Sequence, residues 1–102
     1  ADVTGHGLPA ALDAAVVHIA FQTAVVEADD AAAILSAVNA RLIAQVIDRC
    51  VSAVCAVYDH ATKTCEIALA GHPQAIVVSG NRALPVGEYG PLLGFTHHSE
   101  YI

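Results

Sequence analysis

The apolar positions of this chain change period as the sequence advances, and each change marks a new kind of element. From Pro9 to about Ala28 most residues are apolar, and among the polar ones Asp13, His18, Gln22 and Glu27 fall at intervals of five, four and five. On a helix that spacing makes a single polar stripe, so the segment predicts an apolar helix with Asp13 and His18 as ordinary members of the stripe. Pro9 suits the first helical position, where its missing N–H is no loss. Asp29 and Asp30 break the pattern and supply acids where the dipole of a following helix favours them. Ile34, Val38, Leu42 and Val46 then recur every four residues. They predict a second helix from about Ala31 to Ile47 with this ridge buried and Leu35 and Ile43 widening it. Ser36, Asn39, Gln45 and Asp48 are expected to lie away from the ridge.

The period then shortens to two. Val51 to Tyr58 is rich in small and β-branched residues and apolar on both faces, as a central strand would be. A turn at Asp59–Lys63 leads into Thr64 to Ala70, where Cys65, Ile67 and Leu69 alternate with Thr64, Glu66 and Ala68, so the two segments predict a β-hairpin. Ala75 to Val78 reads as a third strand, Leu84 to Val86 as a short fourth, and His98 to Ile102 as the beginning of another. Two helices followed by an antiparallel meander give an α+β fold with the helices packed on one sheet face.

The chain has 102 residues, 56% of them apolar, and a mean hydropathy of +0.57. So much apolar surface predicts that both faces of most elements are covered. Asp13, His18 and Gln22 interrupt the longest apolar run short of the roughly 18–20 residues that span a bilayer. The net charge is −6, with Arg41, Arg49, Lys63 and Arg82 as the fixed cations. That balance argues against nucleic acid and against polybasic attachment to a membrane, since both need clustered Lys and Arg. Cys50, Cys55 and Cys65 are an odd number in strand-like text. They read as reduced, buried thiols packing as small hydrophobes in a cytoplasmic protein. They lack the Cys-x-x-Cys spacing of a zinc site. His97 and His98 are adjacent, so on a strand they would point to opposite faces and not share an ion.

The densest chemistry is in Ala1-Asp2-Val3-Thr4-Gly5-His6-Gly7-Leu8-Pro9-Ala10-Ala11. A carboxylate ends a short apolar run, glycines follow, and a helix opens. Asp2 fits a ligand to a hard cation, and equally a turn or capping aspartate. His6 fits an acid or a phosphate-positioning group, and equally a residue that only shapes the loop. Gly5 and Gly7 allow close backbone approach beside N–H groups at a helix start.

These eleven residues, together with Ile34-Leu35-Ser36-Ala37-Val38-Asn39, Val57-Tyr58-Asp59, Ala70-Gly71-His72-Pro73 and Pro91-Leu92-Leu93-Gly94, carry a family resemblance in their order and spacing. The chain resembles the bacterial PPM-type (PP2C-like) serine/threonine phosphatases of the SpoIIE and RsbU group. The resemblance implies a partial α-β-β-α sandwich, two stacked antiparallel sheets flanked by helices, with a two-metal site of Mn²⁺ or Mg²⁺ at one edge. It makes Asp2 the bridging metal ligand, gives the Val3 backbone carbonyl to the same site and lays the Gly5–Gly7 loop beside it, with His6 a candidate catalytic group. His72 matches a motif at the site rim, where a structural role is expected of it. The family's other acidic segments would fall before Ala1 and after Ile102, so residues 1–102 read as the middle of a catalytic domain.

The activity implied is hydrolysis of phosphoserine or phosphothreonine on a regulatory protein such as an anti-sigma factor antagonist. The segment alone is expected to be inactive and to self-associate, as a homodimer, through an open sheet edge or an apolar face. The alternative is a degenerate phosphatase-like module that binds a signalling partner without catalysis.

Overall fold

The computed structural model describes residues 1–45 and 48–102. The elements run β1 (Asp2–Val3), α1 (Gly7–Glu27), α2 (Ala31–Ala44), β2 (Val51–Asp59), β3 (Thr64–Ala70), β4 (Ala75–Ser79) and β5 (Arg82–Val86). The fold is α+β, with antiparallel strands in two sheets ordered β1-β2-β3 and β4-β5. The meander is therefore interrupted between β3 and β4. Arg82–Val86 forms a full partner to β4, longer than the short strand expected at Leu84.

Each helix starts where the local chemistry permits. α1 opens two residues before Pro9, after an extended His6 whose side chain makes no capping bond. Pro9 still lies within the first turn, where backbone N–H groups have no helical acceptor. α2 is capped by Asp30, whose carboxylate accepts from the Ala33 N–H at 2.8 Å. It ends at Ala44, so the expected extension through Val46 and Ile47 lies outside the described residues.

The core lies between the helices and one face of the three-stranded sheet. Cross-strand register pairs Ala53 with Ala70 and Cys55 with Ala68, which puts these small residues on one face with Val51. They meet Val17, Ala20 and Ala24 of α1 and Ile34, Leu35, Val38 and Leu42 of α2 in a single cluster. Small sheet residues let the helices approach closely, so Leu35, Val38 and Leu42 are fully buried.

Three expectations are corrected. Only Cys55 is buried among the thiols, because Cys50 precedes β2 in a loop and Cys65 lies on the sheet face turned away from the helices. Asn39 is buried rather than turned out. Residues 98–102 form no strand; Tyr101 instead tucks in and donates to the Leu92 carbonyl at 3.4 Å.

The elements are also less covered than composition suggested. Leu8, Leu12, Ile19 and Val26 of α1 and most of the β4-β5 ribbon are exposed, and the buried residues of α1 are Ala10, Val17, Ala20 and Ala24. By length and composition α1 is long and apolar enough to cross a bilayer, despite its three polar interruptions, while here it packs against α2 and β1.

Candidate functional site

One end of β2 gathers the chemistry-bearing segments. β1 pairs with the first residues of β2, Asp2 opposite Ser52 and Val3 opposite Val51. On the other edge, Leu93 bridges to Val51 and its N–H donates to the Val51 carbonyl at 2.9 Å. The chain leaves β3 through Gly71, whose N–H donates to the Gly90 carbonyl at 2.8 Å. The segments Asp2–Gly7, Gly71–Pro73 and Leu92–Gly94 are thus brought to the same end of the sheet, though they are far apart in sequence.

Alternation fixes the direction of the first two candidates. Val3 shares the face of Val51 and packs against the core, so Asp2 lies on the opposite face with Ser52 and is exposed. Thr4 is tied twice to the residue before β2, its N–H and its hydroxyl both donating to the Cys50 carbonyl at 3.0 and 3.2 Å. Gly5 then turns the chain with φ +89°, in the left-handed region that favours glycine. His6 and Gly7 are exposed at the mouth of α1.

His72 is exposed, and its Nδ1 lies 2.8 Å from the Pro73 carbonyl. A carbonyl only accepts, so Nδ1 is the donor in this contact. The contact lies in the turn after β3.

Among the described residues no group of three or more His, Cys, Asp or Glu comes together as a metal site. The side chains present therefore do not by themselves form a two-metal centre. Asp2 offers one exposed carboxylate, held at the end of the sheet by its strand.

Residues 1–102 match the model of the family described as Stage II sporulation protein E (SpoIIE). The chain belongs to the SpoIIE family. Comparison with curated proteins and with solved structures finds no match. Membership makes this a phosphatase-related domain, and the SpoIIE match spans every segment gathered at the end of β2.

Two residues at this end escaped the pattern. Arg49 donates from Nη1 to the Thr4 carbonyl at 3.1 Å and holds Asp13 in an ion pair with Nε at 2.9 Å, so Asp13 is an ion-pair partner rather than a plain stripe residue. Asn39 reaches from α2 to the loop after Leu93. Arg49 had no local signal, being 36 positions from Asp13. Asn39 had one, since Leu35, Asn39 and Leu42 share the four-then-three spacing of a buried helix flank.

Proposed function

We propose that this chain is the central part of a metal-dependent protein phosphatase domain that hydrolyses phosphoserine or phosphothreonine on a regulatory protein, such as an anti-sigma factor antagonist. The observation that carries the reading is the SpoIIE match over residues 1–102, with Asp2 on an exposed strand end beside a glycine-bent loop. Asp2 contributes one carboxylate, and the Val3 carbonyl a second oxygen, to a Mn²⁺ or Mg²⁺ site completed by acids outside residues 1–102. The Gly5–Gly7 loop and the first amides of α1 face the phosphoryl group, where helix-start N–H groups favour negative charge. His6 stands at the same mouth as a proton-handling group, and His72 forms the rim.

The test uses the intact protein with Mn²⁺ or Mg²⁺ and a phosphoserine peptide. Asp2→Asn keeps the shape and removes the charge, so hydrolysis should fall by a factor of 100 or more while the melting temperature stays unchanged. Full activity in Asp2→Asn, or none in the parent protein under either metal, would overturn the reading. The 102-residue chain assayed alone should show no hydrolysis.

A further inference from the structure

We propose that Arg49 is a positioning residue for the loop that follows Asp2, a role that rests on the phosphatase reading above. The guanidinium joins three elements at once. Its Nη1 donates to the Thr4 carbonyl at 3.1 Å, and its Nε forms an ion pair with the Asp13 carboxylate of α1 at 2.9 Å. Its own backbone lies next to Cys50, whose carbonyl accepts from the Thr4 N–H at 3.0 Å. Thr4 is therefore held from both sides, by the Cys50 carbonyl through its N–H and by Arg49 through its C=O.

The grip falls at the point where the loop has most freedom. Gly5 adopts φ +89° directly after Thr4, and a Cβ placed on it would run into Arg49 Nη1. The guanidinium thus packs against the bare backbone of Gly5 as well as bonding its neighbour. Glycine can leave this conformation at little steric cost, so something else must hold it. Asp13 does this indirectly. It neutralises the guanidinium and fixes its direction from the second turn of α1, and both side chains are 28% exposed, so water competes only partly for them. A lysine could reach one of these acceptors but lacks the planar fork that serves both.

The loop so held runs from the candidate metal ligand Asp2 to the start of α1. Its position decides where the Gly5–Gly7 amides stand relative to Asp2. Arg49 touches no reacting atom in this account; it acts through Thr4 and Gly5.

The test measures the intact protein and its Arg49→Ala, Arg49→Lys and Asp13→Asn variants, labelled with ¹⁵N-glycine. In the parent protein Gly5 and Gly7 should show order parameters near the rigid value of about 0.85, falling below about 0.6 in Arg49→Ala. Gly71 and Gly94 should not change, which separates loop release from general loosening. On a phosphoserine peptide, Arg49→Ala should lower kcat at least tenfold with KM within twofold. Arg49→Lys should recover part of that loss, and Asp13→Asn should show a smaller one. Unchanged Gly5 and Gly7 order parameters in Arg49→Ala, or a loss spread equally over all glycines, would overturn the proposal. If the parent protein hydrolyses no phosphopeptide, the phosphatase reading fails by itself, and the order parameters still decide whether Arg49 holds the loop.

Discussion

Asn39 and Gly94 are joined by a hydrogen bond of 2.7 Å, in which the Gly94 N–H donates to the Asn39 Oδ1 across 55 residues of sequence. The same side chain donates from Nδ2 to the Thr96 carbonyl at 2.9 Å. Asn39 is 3% exposed, so one amide group satisfies two loop backbone groups in a nearly dry setting. This contact seats the segment that also pairs Leu93 with Val51 at the candidate site.

Replacing Asn39 should therefore unseat the C-terminal loop before it disturbs the sheet. Asn39→Leu removes both bonds and leaves the two loop groups without partners, at a cost of about 2–4 kcal/mol. Asn39→Asp keeps the acceptor for Gly94 but sets a carboxylate against the Thr96 carbonyl, so its loss of stability should grow as pH rises through the carboxylate range. Urea unfolding of the three proteins at two pH values reads both effects.

Gly71 is a second point where the sequence has little choice. Its φ is +57°, and a Cβ there would strike the Leu92 side chain and press on the Leu92 backbone. Gly71→Ala combines left-handed strain with a clash, and should lose about 2–3 kcal/mol. Adding Leu92→Ala should relieve the clash, leaving the backbone strain and the penalty of the Leu92 truncation itself. A double-mutant cycle by thermal unfolding measures the coupling, and additive losses would show that the two residues do not meet.

The sequence revealed those parts of the fold that depend on local period. The helix through Val17, Ala20 and Ala24, the helix start after Asp29–Asp30 and the Val51–Ala70 hairpin all follow from spacing and turn chemistry, although Asp30 caps the helix rather than lying in its first turn. The site was legible only where a continuous segment carries it, as Asp2 to Ala11 does. What stayed hidden depends on contacts between distant segments. The spacing of Asn39 with Leu35 and Leu42 marks a buried flank but not its partner Gly94, and Arg49 looks like a stray cation until Asp13 and Thr4 are folded beside it. The expected final strand at His98–Ile102 failed because Tyr101 gains more by burying its ring, with its hydroxyl on Leu92, than an isolated edge segment gains by pairing.

Alkaline conditions should weaken the fold in two stages. Burial raises the Cys55 thiol above its ordinary range and raises the Tyr101 phenol likewise, with a Ser99 hydrogen bond opposing the latter. In each case the folded state holds its proton to higher pH than the unfolded chain does. Stability is therefore fully present below the unfolded value and falls as pH rises from it through the folded one. The first decline should begin above about pH 8.5 and the second above about pH 10. Cys55→Ala should remove the first stage and leave the second. Thiol labelling supplies an independent check, since Cys50 and Cys65 are exposed and should react rapidly while Cys55 waits on opening of the core.

The exposed side of α1 leads to a prediction about assembly. Leu8, Leu12, Ile19 and Val26 are between 60% and 83% exposed and follow one another at intervals of four, seven and seven. With Ala15 and Gln22 in the intervening places they trace the alternating four-three seam by which two helices pack side by side. A net charge of −6 opposes crowding of copies, and the seam itself carries no charged residue. Association through α1 should therefore strengthen as salt screens the surrounding acids. Sedimentation of the 102-residue chain over a concentration series should show a dimer that gains population from low to moderate salt. Ile19→Glu places two like charges in the middle of that seam and should return the chain to monomer, whereas Ile76→Glu on the β4-β5 ribbon should leave the dimer intact. If both substitutions act equally, general stickiness of exposed apolar surface explains the association and the helix seam does not.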